Sequence, residues 1–203
     1  RAVGMPTRAA HEAAGRHNQQ LNWSPDGRQL AYLTERHAQR FLVICSLETG
    51  DAHEILLRMR YATYARWSPD GRTILVAGSD ARNRDAIVRL DVRTGRQEII
   101  VRDGVQGLAW APDGRTIYYK RYGKGPLVAR ELASGTERVV YAPSDSSWIL
   151  RGNFDLSRDG RWVAFQLMGA RGDTSRLMVM PVDGGTPREL YRFTNWAFFW
   201  GPE

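Results

Sequence analysis

The chain has 203 residues, 42% hydrophobic and 25% charged, a balance that argues against disorder and supplies enough apolar side chains for one substantial core. No apolar run approaches the roughly 20 residues of a spanning helix, and residues 1–20 hold no hydrophobic stretch of signal-peptide type, so membrane insertion is not expected. The formal net charge is +7, but the arginines are scattered, with no basic block beyond Arg58-Met59-Arg60. This favours a solvated basic surface, drawn to acidic partners by salt-sensitive long-range attraction, over specific nucleic-acid recognition.

In chain order, residues 1–17 read as a lead-in or linker, with Met5 to Ala14 a short helix or an irregular segment. A motif then repeats. Trp23-Ser24-Pro25-Asp26-Gly27-Arg28 is followed by Trp67-Ser68-Pro69-Asp70-Gly71-Arg72 and Trp110-Ala111-Pro112-Asp113-Gly114-Arg115. A degenerate copy, Leu156-Ser157-Arg158-Asp159-Gly160-Arg161, comes next, and a fifth begins at Trp200-Gly201-Pro202-Glu203. The intervals are 44, 43, 46 and 44 residues, within the range of roughly 40 to 50 for four-stranded propeller blades.

Between the motifs lie short β-branched and aromatic runs broken by Gly, Pro and Asp, with no helical period. Phe41 to Leu47 and His53 to Leu57 flank a Thr49-Gly50-Asp51 turn; Ala86 to Val92 and Gln97 to Val101 flank Thr94-Gly95. Each period therefore predicts four strands, the motif turning the first into the second. Proline sets the first corner, Asp bonds nearby amides, and Gly takes the left-handed conformation. Trp23, Trp67 and Trp110 are expected to fill the wedges between blades. The fold class is all-β: a β-propeller with four complete four-stranded blades plus the first strand of a fifth. The blades fall at about 18–60, 61–103, 104–147 and 148–192, and the next begins within 193–203.

These motifs, with the later run from Pro181 to Leu190, resemble the TolB-type, WD-repeat-like propeller repeat over about residues 18–203. The resemblance implies six or seven blades in all, so the chain is expected to be an excerpt of a larger ring with open end blades prone to self-association. It also implies several settings: a periplasmic envelope scaffold, the accessory propeller of a prolyl oligopeptidase-like serine hydrolase, or a sensor module beside a kinase or winged-helix regulator. Fold alone does not choose among them.

Catalytic patterns are absent from the sequence. His11, His17, His37 and His53 lack metal-ligand spacing, and the one cysteine, Cys45, sits in the apolar run from Phe41 and is read as a small hydrophobe. No G-x-S-x-G elbow or phosphate-cradling loop occurs. Asp26, Asp70, Asp113 and Asp159 recur once per blade, as turn residues do. The expectation is thus a protein that is not an enzyme as it stands, without cofactor or metal, binding an unidentified protein partner as a scaffold.

Partner binding is placed on the face opposite the motif turns, where second-to-third strand loops, Glu35 to Arg40 among them, and blade crossings, Arg58 to Ala62 among them, vary between repeats. The candidates are Arg36, Arg40, Arg82, Arg84, Arg121, Lys124 and Arg171. Trp148, in the long crossing from Ala142 to Ile149, is read either as an exposed anchor or as a cap on the blade core.

Overall fold

The computed structural model describes residues 21–102, 105–172 and 174–194. Among these residues there is no helix, and sixteen strands form four antiparallel four-stranded sheets, each made of consecutive strands. The first sheet holds β1 (Asn22–Trp23), β2 (Gln29–Arg36), β3 (Gln39–Ser46) and β4 (Ala52–Leu57). The second holds β5 (Met59–Trp67), β6 (Thr73–Asp80), β7 (Asp85–Asp91) and β8 (Gln97–Arg102). The third holds β9 (Val105–Trp110), β10 (Thr116–Arg121), β11 (Leu127–Glu131) and β12 (Glu137–Tyr141). The fourth holds β13 (Trp148–Leu156), β14 (Trp162–Gly169), β15 (Ser175–Pro181) and β16 (Arg188–Phe193). Each sheet is one propeller blade. The expected lead-in at residues 1–17, the strand residues after Thr194 and the motif tryptophan Trp200 lie outside the described residues.

The motif turns follow from their side chains. Ser24 Oγ donates to Asp26 Oδ1 at 2.6 Å, the same carboxylate oxygen accepts from the Arg28 amide at 3.0 Å, and the Gln29 amide donates back to Ser24 Oγ at 2.9 Å. Ser68 and Asp70 repeat the pattern, as do Ser157 and Asp159, whereas Ala111 leaves Asp113 to bind amides alone. These bonds to the ionised form hold the carboxyls of Asp26, Asp70 and Asp159 below the usual range, the serine hydroxyl being the largest cause at each. Gly27, Gly71, Gly114 and Gly160 all have φ near +70°, the left-handed region where a Cβ is costly.

Three apolar layers lie between the four blades. Leu33, Leu42, Trp67 and Ile74 typify the first, Leu75, Ile87, Leu108 and Tyr119 the second, and Tyr118, Leu127, Leu150 and Phe165 the third. The neighbours Tyr118 and Tyr119 thus serve opposite faces of one strand, as the period of two requires. Trp67 is buried in the first layer and donates its indole N–H to Asn22 O at 3.3 Å; Trp110 donates to Arg66 O at 3.2 Å. In both cases the acceptor precedes the motif tryptophan of the previous blade. Trp67 and Trp110 stand in the wedges between blades, whereas Trp23, in the first described blade, is 60% exposed among the described residues.

The ladders are interrupted at two levels. On the outer strands β8, β12 and β16 one extra residue, Ile100, Val140 or Leu190, breaks the register against β7, β11 or β15, while β4 pairs with β3 without a break. On the innermost strands β5, β9 and β13 the breaks fall in the half away from the motif turns. There Arg60 is the extra residue between the pairs Met59↔Asp80 and Tyr61↔Ser79. Gly107 and Leu108 together oppose Tyr119, and Arg151, Gly152 and Asn153 together oppose Gln166.

Two expected loops are strands. Residues 35–40, expected as a second-to-third strand loop, are mostly strand: β2 and β3 pair through Arg36↔Gln39 and close with His37 and Ala38 at φ 50° and 60°. This is the left-handed two-residue hairpin that matches strand twist. Likewise Arg58 alone separates β4 from β5, so Met59 to Ala62 belong to a strand and not to a crossing.

Candidate functional site

The turns between second and third strands and the passages from one blade to the next share the end of the propeller opposite the motif turns. On this face both carboxylate oxygens of Asp80 are occupied. Asp80 accepts from the Arg82 and Arg84 amides at 2.9 and 3.0 Å, and its Oδ2 takes Arg84 Nη2 and Arg102 Nη1, both at 3.0 Å. These bonds, that of the Arg84 amide first, lower the Asp80 carboxyl to about 2. Glu137, which opens β12 toward the motif-turn end, accepts from Tyr119 Oη at 2.6 Å, Arg130 at 2.7 Å and Arg121 at 2.5 Å.

The candidate binding residues are not one cluster. Arg36, at the end of β2, pairs with Glu54 and lies 4.8 Å over the Phe41 ring; Arg40, at the start of β3, stands 2.5 Å from Glu35 and over Tyr61. Arg121 ends β10, bound to Glu137. These three are strand residues with intramolecular partners. Arg84 is held by Asp80, whereas the side chains of Arg82, Lys124 and Arg171 stand exposed in the turns after β6, β10 and β14. Trp148 is half-buried against the third apolar layer, and the Arg176 guanidinium covers its ring at 3.7 Å. That is the capping alternative for Trp148.

Residues not singled out in the sequence converge nearer the axis. Lys120 is fully buried, and its ammonium donates to Gln106 Oε1 at 3.2 Å, Arg121 O at 2.7 Å and Gly123 O at 2.6 Å. Burial, with Arg151 adding repulsion, lowers its pKa to about 8. Asn153 Nδ2 donates to Gln166 Oε1 at 3.2 Å, and Gln166 Nε2 to Ser175 Oγ at 3.1 Å. The backbones of β9 and β13 nearly touch: a Cβ on Gly107 would stand 2.1 Å from Gly152 O. The glycines at 107 and 152 were the available signal in the sequence.

At the motif-turn end, grooves open between blades. One of about 410 Å³ between the third and fourth is lined by Pro112, Asp113, Tyr118, Glu137, Arg138 and Asp183 among others. Among the described residues no group of three or more His, Cys, Asp and Glu side chains is placed to hold a metal ion, and no helix is long and apolar enough to cross a membrane.

Four radial, consecutively built sheets with indole-stapled wedges define a β-propeller, and the fold is of the TolB type. The structure of TolB from Acinetobacter baumannii superimposes with a TM-score of 0.69 at 18% identity, over 84% of this chain and 42% of that one. No family model matches the sequence. The chain is 30% identical over 144 residues to the uncharacterised peptidase YuxL of Bacillus subtilis (strain 168), covering 70% of this chain and 20% of that protein. It is 26% identical over 153 residues to dipeptidyl-peptidase 5 of Porphyromonas gingivalis, covering 68% and 21%.

The chain thus spans about a fifth of the length of the curated relatives it matches. These matches overturn the expectation that the protein is not an enzyme, because both relatives are named as peptidases. The expectation rested on missing catalytic motifs in a span that aligns with only a fifth of either relative.

Proposed function

We propose that this chain forms propeller blades of a peptidase with prolyl oligopeptidase-like organisation, the blades at about 18–60, 61–103, 104–147 and 148–192 acting as a rigid platform that admits and orients peptide. The observation that carries this reading is the sequence match to two proteins named as peptidases over a span that folds as a propeller. The physical role fits such a wall. Blades locked through Trp67 and Trp110 resist deformation, while exposed turns bearing Arg82, Lys124 and Arg171 vary between repeats and supply contacts. Nucleophile, base and oxyanion donors would be supplied by other residues of the complete protein.

The test uses the complete gene product. A fluorophosphonate probe, which phosphonylates an activated serine, should label one serine outside residues 1–203, and the same preparation should cleave fluorogenic peptides. A folded product that neither takes the label nor cleaves any peptide overturns the proposal.

A further inference from the structure

Two turns on the face opposite the motif turns are pinned by a buried charge on the strand before them. Asp80, the last residue of β6, grips its turn by accepting from the Arg82 and Arg84 amides. Lys120, fully buried on β10, grips the turn of the next blade by its carbonyls, donating to Arg121 O at 2.7 Å and Gly123 O at 2.6 Å. Its third donor reaches Gln106 Oε1 on β9 at 3.2 Å, so the turn is tied through the ammonium to an innermost strand. A buried ammonium is tolerated only with its donors satisfied, and two of the three acceptors belong to this turn or its first neighbour, which are ordered with it.

The turn, Tyr122 to Pro126, adds constraints of its own. Gly125 N donates to Tyr122 O at 3.1 Å, Arg121 N donates to Pro126 O at 2.9 Å, and a Cβ on Gly125 would stand 2.6 Å from Arg121 Cβ. What this fixed backbone displays is the Tyr122 ring, 65% exposed. The corresponding turns carry His37-Ala38, Ala81-Arg82-Asn83-Arg84 and Ala170 to Thr174, with no Phe, Tyr or Trp. The one such ring among the four turns thus sits where the buried ammonium holds the backbone. An exposed tyrosine alone is ordinary surface. On a backbone already ordered, however, it loses little freedom when covered, and that is the condition under which aromatic side chains anchor peptides.

We infer that Tyr122 is an anchor for an aromatic side chain of a peptide, and that Lys120 is the positioning residue that holds its turn. Two rings in offset or edge-to-face contact attract beyond the area they bury. The approach is open, since a Cβ added to the neighbouring Gly123 would meet nothing within 4 Å. The choice of a peptide as ligand rests on the proposed peptidase reading, but the contact is read from binding and needs no turnover.

The experiment uses the complete gene product, treated with the fluorophosphonate so that no peptide is consumed. It is titrated with fluorescently labelled neutral peptides in which one Phe is moved along a Ser/Ala background, and with the Ser/Ala parent. Anisotropy should show at least one Phe peptide binding about fivefold tighter than the parent, the scale of one aromatic pair. Tyr122→Ala, at an exposed position, should fold normally and lose the preference, whereas Tyr122→Phe should keep it. Tyr191→Ala, which removes a ring of similar exposure from the outer strand β16, should also keep it. Lys120→Met should reduce the ratio of the two affinities, a quantity that overall destabilisation does not move. Gly125→Ala, which crowds Arg121 and displaces the turn, should do the same and serves where the lysine variant does not fold. Equal affinity for the parent and every Phe peptide, or a preference that survives Tyr122→Ala, overturns the anchor. A preference unchanged in folded Lys120→Met, or in Gly125→Ala, overturns the positioning role. A product that takes no fluorophosphonate and cleaves no peptide, yet keeps the Tyr122-dependent preference, would remove the peptidase reading and leave this site standing.

Discussion

Pro112 in the motif turn of the third blade presses on Gly160 in that of the fourth: a Cβ at Gly160 would stand 2.7 Å from Pro112 Cδ. The same neighbours recur more loosely as Pro25 with Gly71 at 3.7 Å and Pro69 with Gly114 at 3.9 Å, while Gly27 has nothing within 4 Å. Both Gly27 and Gly160 have φ of 70°. Gly27→Ala should therefore cost only the left-handed penalty of about 1–2 kcal/mol, and Gly160→Ala about 2–4 kcal/mol because overpacking is added. Urea unfolding of both variants measures the difference, and equal losses would show that the proline contact yields freely.

The indole staples give a second comparison. Trp110→Phe keeps most of the ring but leaves the Arg66 carbonyl without its donor, which should cost about 1–3 kcal/mol. Trp23→Phe, at an exposed position, should change stability by no more than about 0.5 kcal/mol. Chemical denaturation monitored by circular dichroism reads both, and comparable losses would contradict the staple.

Asp80 predicts acid sensitivity. Its carboxyl is lowered from 3.8 to about 2, so the folded state binds fewer protons than the unfolded one between those values. The stabilisation is present above about pH 4 and is lost as pH falls toward 2. Asp80→Asn should lower stability at pH 7 and flatten the pH dependence between 4 and 2. An unchanged slope would mean that Arg84 and Arg102 do not govern this carboxyl.

Lys120 gives a slope of the same sign at the alkaline end of the scale. Its pKa falls from 10.5 to about 8, so the folded state again binds fewer protons, now at alkaline pH, and stability should rise from pH 8 toward 10.5. Lys120→Met should abolish that rise. It should also loosen the turn after β10, because the ammonium bonds to Arg121 O and Gly123 O are lost. Hydrogen exchange at residues 121–126 reports the second effect.

The blades were legible in the sequence because the turn after the motif is local chemistry: Ser24, Asp26 and Gly27 solve it within six residues. The inner-strand bulges were not. That Arg151, Gly152 and Asn153 oppose Gln166 is settled in the half of the β13–β14 hairpin away from its motif turn, where Gly152 packs against Gln106 and Gly107 of the preceding blade, and no local propensity encodes it. Arg36 and Arg40 were expected in a loop because they fall in a polar stretch between apolar runs, although a hairpin end keeps such side chains half-exposed while its backbone stays paired. His37-Ala38 lacks the Asn-Gly type of signature that would have announced a two-residue turn. The hydrolase setting was among those the repeat resemblance implied, but the motif turns and strands carry nothing that chooses it over a scaffold, because fold alone does not fix function.

The unequal outer ladders have a consequence for behaviour at high concentration. An uninterrupted outer strand is a template onto which another extended chain can add, and an extra residue spoils that template by twisting the edge. β8, β12 and β16 are spoiled in this way, and β4 is not; it also exposes Leu56. Fibrous assembly, if it is ever seeded by the rim of the native propeller, would start at residues 52–57, and a single charged substitution at Leu56 would be the economical guard against it.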